Sequence, residues 1–173
     1  MTKVVKLNKD NIMDRINVKI GNGYDVHKLA KGLKLVLAGV EIKHTKGLVA
    51  HSDGDVVIHA LCDALLGALS LGDIGQHFPD TENEYKNIDS RILLSRVMLM
   101  VRDRGFNIGN VDITILAQEP KLLMYRELMV GTLSSLMNCR VDQVSVKTTT
   151  TEHLGYIGRE EGIATYATVL IFK

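Results

Sequence analysis

The 173 residues contain no tryptophan, only two prolines and only two cysteines. Two prolines leave no Pro-rich linker between folded units. Two cysteines, Cys62 and Cys139, each in an apolar context that reads as helical, exclude a disulfide framework and read as reduced core thiols of a cytoplasmic protein. The formal net charge is only +1, which excludes the electrostatic footprint of a nucleic-acid binder and leaves any anionic ligand to be held locally. No apolar run is long enough to span a bilayer, so no membrane partner is expected. The first fifteen residues mix Lys3, Lys6 and Lys9 with Asp10 and Asp14 and lack the apolar stretch of a secretion signal. What is present is an ordinary globular composition, 46% hydrophobic and 24% charged.

Without repeats or a break in composition, the expected organisation is a polar N-terminal extension over 1–16 and one domain over 17–173. Asn17 to His27 alternates like a strand, with Gly21 and Gly23 marking a close backbone approach. Leu33 to Leu37 and Val40 to Lys43 read as a hairpin turning at Ala38-Gly39. Asp55 to Leu71 is apolar nearly all round, the pattern of a buried helix. Gly72 to Lys86 reads as a long loop. Asp89 or Ser90 caps a helix running to Arg104 and stopped by Gly105. Asn110 to Ala117 is a strand, Pro120 opens a helix reaching Met137, and Val141 to Thr151 and Gly162 to Phe172 are strands. The fold class is α+β: a mixed β-sheet with helices packed on one face.

Asp25 and His27 are two apart on a strand, so both side chains point to one side of the sheet. On the buried helix, Asp55, His59 and Asp63 recur every fourth residue and share a face. Polar groups on an otherwise apolar helix need partners, because burying an unpaired charge costs several kcal/mol. Asp25, His27 and His59 together would make a three-ligand zinc site with an open fourth position, and Asp55 or Asp63 would orient a ligand histidine from behind. Spacing alone leaves open the plainer reading, in which the two histidines are interior residues satisfied by neighbours.

The other polar segments suit phosphate. His51 and Ser52 precede the N-terminus of the His59 helix, a natural anion site unless Asp53 or Asp55 merely caps it. Lys147 to Glu152 ends a strand with four threonines and a carboxylate, which offer hydroxyls to phosphate and a ligand to a hard cation such as Mg²⁺. Arg159, beside Tyr156 in a Gly-rich stretch, could clamp a phosphate. Ala117 to Lys121, at a strand-to-helix junction, offers another anion site.

These segments, in this order, resemble the 2-C-methyl-D-erythritol 2,4-cyclodiphosphate synthase family. The resemblance rests on Gly21-x-Gly23-Tyr24-Asp25-Val26-His27, on His51-Ser52-Asp53-Gly54-Asp55 with His59, on Asp63 to Ala68, and on Leu71 to Gly75 through Phe78-Pro79-Asp80-Thr81. It continues with Gly109 to Asp112, Ala117-Gln118-x-Pro120-Lys121, Lys147 to Glu152 and Leu154 to Gly162. It spans the chain from about Lys19 onward.

The resemblance implies a phosphorus–oxygen lyase that closes a cyclic diphosphate on a cytidine diphosphate substrate and releases CMP. It implies Zn²⁺ on Asp25, His27 and His59, and Mg²⁺ or Mn²⁺ on Glu152. His51 and Thr150 would stabilise the transition state. Asp73 and Gly75 would hold the ribose, and Ile74 between them would also touch the substrate. Phe78, Pro79, Asp80, Thr81 and Glu82 would contact the methylerythritol part. Ala117, Gln118, Glu119, Pro120, Lys121, Leu122 and Leu123, with Thr149, Thr150 and Thr151, would form the cytosine and phosphate pocket. Active sites would lie between the subunits of a homotrimer. Asn22 and Lys19 depart from the His and Arg common in the family, and neither is an implied ligand. A zinc phosphohydrolase or a non-catalytic zinc-binding trimer are the alternatives.

Overall fold

A computed structural model describes residues 17–173. The expected polar extension, 1–16, lies outside the described residues. Five strands form one sheet in the order β4-β1-β7-β5-β6: β1 is Val18–Lys31, β4 Lys46–Val49, β5 Asn107–Leu116, β6 Val144–Thr149 and β7 Gly162–Phe172. The sheet is mixed, because β5 and β6 run parallel while the other pairs are antiparallel. Strands β2 (Leu35–Leu37) and β3 (Val40–Ile42) form the expected hairpin, with Ala38 and Gly39 both at positive φ in its turn.

The central pairing is β1 with β7, which stay in register from Val18 opposite Phe172 to Lys28 opposite Gly162. Helix α1 (Val56–Ala68) lies across both strands and is buried on nearly every side, as its composition requires. It approaches β1 closely because Gly21 and Gly23 carry no side chain on that face. A β-carbon at Gly21 would stand 1.8 Å from the carbonyl oxygen of Ala64. Helix α3 (Ser90–Asp103) packs on α1, and α4 (Arg126–Met137) packs beside β6. The opposite surface of the sheet leaves Ile20, Tyr24, Val26 and Tyr166 exposed.

Asp55 joins two of these elements. It is fully buried and caps α1, accepting the N–H groups of Val57 and Ile58 at 3.1 Å each. It also accepts the N–H groups of Ala38 at 2.9 Å and Gly39 at 2.5 Å, which staples the hairpin turn to the helix. The cap reading of this segment therefore holds, and the α1 N-terminus is filled by the protein's own carboxylate.

Several expected boundaries move. β1 runs on to Lys31 because its last residues pair with β4, a strand the sequence does not announce. The loop over 72–86 contains a short helix, α2 (Ile74–His77), capped by Asp73, and a 3-10 turn at Asn83–Tyr85. The helix expected from Pro120 begins only at Arg126, after a 3-10 turn at Leu123–Tyr125, because Ala117 still bonds to Thr149 and holds the chain beside β6. The strand expected from Val141 likewise opens with a 3-10 turn, Val141–Gln143.

Candidate metal centre

Asp25 and His27 face α1 from β1, as their spacing requires, and His59 meets them from the helix. Asp25 Oδ2 lies 3.0 Å from His27 Nε2 and 3.0 Å from His59 Nδ1, and the two ring nitrogens are 3.0 Å apart. Hydrogen bonding cannot satisfy all three edges of this triangle. If both rings donate to the carboxylate, two N–H groups oppose each other along the remaining edge. Three lone pairs turned to one cation satisfy it. An ion held at about 2.0–2.1 Å by tetrahedral donors sets them roughly 3.3 Å apart, close to the spacing seen. The three residues thus form a metal-binding site with a His₂Asp donor set that leaves a position free.

Burial alone would raise the Asp25 carboxyl, but hydrogen bonds and charge from His27 and His59 outweigh it and hold the group well below the usual carboxylate range. Burial works against charge on His59, and Asp25 overcomes it, so that pKa rises.

The far side of His59 is also fixed. Its Nε2 lies 3.0 Å from Ser90 Oγ, at the first residue of α3, and 3.1 Å from Ser52 Oγ. Sequence spacing assigned the orienting role to Asp55 or Asp63, and neither bonds the ring. Asp55 is committed to its four N–H groups. Asp63 accepts the Ile74 N–H at 2.7 Å, which anchors α2 at the edge of the site. Ser90 was legible only as a possible helix cap. The cap proves to be Asp89, which frees the Ser90 side chain to turn inward.

A cavity of about 410 Å³ opens at the triad. His27 and His59 line it with His51, Ser52, Ile74, Gly75, Phe78, Pro79, Asp80 and Thr81, which gathers most of the residues expected on the metal side. Tyr85, Ile88 and Leu93 complete an apolar wall that the sequence did not single out. Among the described residues His51 Nε2 is buried without a hydrogen-bond partner, so one ring nitrogen in this wall still has an unused hydrogen-bonding position. Asp73 spends its carboxylate on Gln76, accepting both the backbone N–H and the side-chain amide at 3.0 Å. Glu82 is exposed and does not line the cavity.

The remaining expected residues assemble elsewhere. Ala117, Pro120, Lys121 and Leu122 meet Thr148, Thr149 and Thr150 around a separate cavity of about 180 Å³. Gln118 is buried behind it and accepts the His153 N–H at 3.2 Å, tying the two loops together. Thr150 donates to Glu152 Oε1 at 2.7 Å, at a turn where Glu152 and His153 both have positive φ. Glu119 lies 3.7 Å from Lys121, Leu123 is exposed, and Thr151 bonds the Leu154 carbonyl. Tyr156 bonds Tyr24 across 2.8 Å, and Arg159 is paired with Glu161 at 2.8 Å. Within one chain, therefore, the metal-side and threonine-side residues line two cavities, not one.

A mixed sheet carrying Asp and His on one strand, met by His from a buried helix at the mouth of a cavity, defines an α+β metal-site protein of the enzyme type, with ligands left open to a substrate. The sequence profile of the YgbB family matches residues 18–172, and the chain belongs to that family. It is 56% identical over 154 residues to the 2-C-methyl-D-erythritol 2,4-cyclodiphosphate synthase of Acinetobacter baumannii strain SDF, covering 89% of this chain and 96% of that one. Among solved structures, the bifunctional IspDF of Campylobacter jejuni matches with a TM-score of 0.87 and 44% identity over 91% of this chain; the match spans only 42% of that longer protein. IspF of Plasmodium falciparum, solved with CDP, matches with a TM-score of 0.79 and 37% identity over 90% of this chain and 96% of that one.

Proposed function

We propose that this chain is a 2-C-methyl-D-erythritol 2,4-cyclodiphosphate synthase. It converts 4-diphosphocytidyl-2-C-methyl-D-erythritol 2-phosphate into the cyclic diphosphate and CMP, a step of non-mevalonate isoprenoid biosynthesis. The observation that carries the reading is the Asp25–His27–His59 triangle at the mouth of a cavity, in a chain 56% identical to a synthase of that name.

The reaction is intramolecular. The 2-phosphate attacks the β-phosphorus and the CMP oxygen leaves, so no nucleophile or general base is asked of the protein. What is asked is a folded substrate with attack in line and neutralised charge. Asp25, His27 and His59 would hold Zn²⁺ and Glu152 would serve Mg²⁺ or Mn²⁺, and the chemistry such ions would supply is Lewis acidity toward phosphoryl oxygens. His51, with its unpartnered ring nitrogen, and Thr150, with its hydroxyl, bond the phosphoryl oxygens as charge develops. Ile74, Phe78, Pro79 and Leu93 offer the branched C-methyl group an apolar wall. Asp73 and Gly75 take the ribose, and residues 117–123 with 149–151 take the cytosine and its phosphates.

The two separate cavities support a homotrimer in which the threonine-side pocket of one subunit faces the metal-side cavity of the next. The exposed Ile20, Tyr24, Val26 and Tyr166 on the open sheet face give such an assembly an apolar surface to cover. We read residues 17–173 as one synthase domain. Among the described residues no helix is long and apolar enough to cross a membrane, and both cysteines are free, which fits a cytoplasmic enzyme.

The test is product analysis. Metal-loaded protein with the cytidine substrate and Mg²⁺ is expected to release CMP together with the cyclic diphosphate. Formation of a linear product, or no turnover, would overturn the assignment. Sedimentation equilibrium is expected to give three times the chain mass.

A further inference from the structure

Behind the metal-facing side of His59 runs a partly buried chain of polar groups that none of the roles above uses. His59 Nε2 lies 3.0 Å from Ser90 Oγ. Ser90 Oγ in turn bonds Asp53 Oδ1 at 2.5 Å, and the Ser90 backbone N–H donates to Asp53 Oδ2 at 3.0 Å. Asp53 Oδ1 also accepts the Asp55 N–H at 3.2 Å, so both its oxygens act as acceptors. Ser90 is fully buried and His59 nearly so.

The direction of these bonds follows from the partners. A carboxylate whose oxygens already accept N–H groups has no proton to give, so the Ser90 hydroxyl hydrogen points at Asp53. Ser90 Oγ then has only lone pairs to offer His59, and the shared contact requires the ring proton on Nε2. A neutral imidazole with hydrogen on Nε2 carries its lone pair on Nδ1. Nδ1 is the atom 3.0 Å from Asp25 and from His27 Nε2. Ser52 Oγ, 3.1 Å from the same Nε2, accepts the Gly54 N–H and can share the ring proton without competing for it.

We propose that Ser90 and Asp53 are positioning residues: Ser90 Oγ, oriented by Asp53, takes the His59 Nε2–H, so that the Nδ1 lone pair is left to the metal. The inference rests on the metal assignment above. The same pair sets the ring's orientation mechanically. Asp53 binds both the hydroxyl and the backbone of the first residue of α3, so the start of α3, the loop before α1 and the ligand on α1 are fixed to one another. Outer partners of this kind typically account for 10–100-fold in metal affinity.

The test is zinc affinity, measured on stripped, intact protein by competition with a chromophoric chelator. Ser90→Ala is expected to weaken zinc by roughly 10–100-fold. Asp89→Ala is the control, because it removes the α3 cap bond to the Arg91 N–H but leaves the Ser90 hydroxyl in place. Zinc affinity in that variant is expected within about threefold of the parent. Equal weakening in both variants, or none in Ser90→Ala, overturns the proposal. Failure of the parent protein to bind zinc would instead overturn the metal assignment.

Discussion

Gly23 and Ala60 bring strand β1 and helix α1 together backbone to backbone: a β-carbon at position 23 would lie 2.0 Å from the Ala60 carbonyl oxygen. That oxygen belongs to a buried helix and cannot step aside as a flexible side chain would. Gly23→Ala is therefore expected to destabilise the protein by about 3 kcal/mol or more, at or beyond the upper end of ordinary overpacking. Because the same contact sets the distance from Asp25 and His27 to His59, zinc affinity should fall as well. Thermal melts of zinc-free and zinc-loaded protein separate the two effects.

Removal of one corner of the triangle should abolish the site. His59→Ala is expected to lose bound zinc and to lower turnover by a factor on the order of 1000 or more, since a Lewis acid contributes several kcal/mol to such a transition state. Elemental analysis beside the CMP assay checks both, and zinc retained at parental stoichiometry would refute the ligand set.

Thr150 lies on the threonine-side cavity and touches none of the three ligands. Thr150→Ala is expected to keep its zinc while kcat falls on the order of 100-fold, the usual effect of removing one donor from a charged transition state. Unchanged kcat would remove Thr150 from the catalytic set.

Asp55 tests stability apart from chemistry. Asp55→Ala strands the N–H groups of Ala38, Gly39, Val57 and Ile58 in the interior. The expected cost is about 2–4 kcal/mol, from a lost helix cap and buried donors without partners. Denaturant titration measures it.

Tyr24 gives a prediction in pH. Burial, followed by the hydrogen bond and charge of Tyr156, pushes its phenol up to about 12 from an ordinary value of 10.0. The folded state thus holds the proton more tightly than the unfolded chain. Its contribution to stability is complete below pH 10 and is lost as the pH rises toward 12. Ultraviolet titration of the five tyrosines should show one late phenolate transition, absent in Tyr24→Phe.

Much of this arrangement is legible in the sequence because it depends on local periodicity. The apolar circumference of α1, the Ala38-Gly39 turn, the bounds of β7 and the shared face of Asp25 and His27 all follow from spacing. What stays hidden depends on where side chains turn after folding. Asp55 shares a helical face with His59, yet spacing cannot reveal that its carboxylate bends back to the hairpin. Ser90 looks like a cap until Asp89 takes that place. β4 is four residues long with Lys46 and Gly47 at its start, so only its pairing with the end of β1 makes it a strand. The separation of the metal-side and threonine-side residues into two cavities is a property of the folded chain that no linear order expresses.

The unbroken pairing of β1 with β7 limits how this sequence can change. Alternate residues of β1 serve different clients: Asp25 and His27 face the metal, and Tyr24 and Val26 face outward. One residue inserted between Gly21 and His27, with the pairing beyond it unmoved, would carry everything on one side of it to the wrong surface, exchanging a ligand for a phenol. Descendants of this gene can therefore exchange one outward side chain of β1 for another without disturbing the register, but they cannot change its length by one residue and keep the reaction.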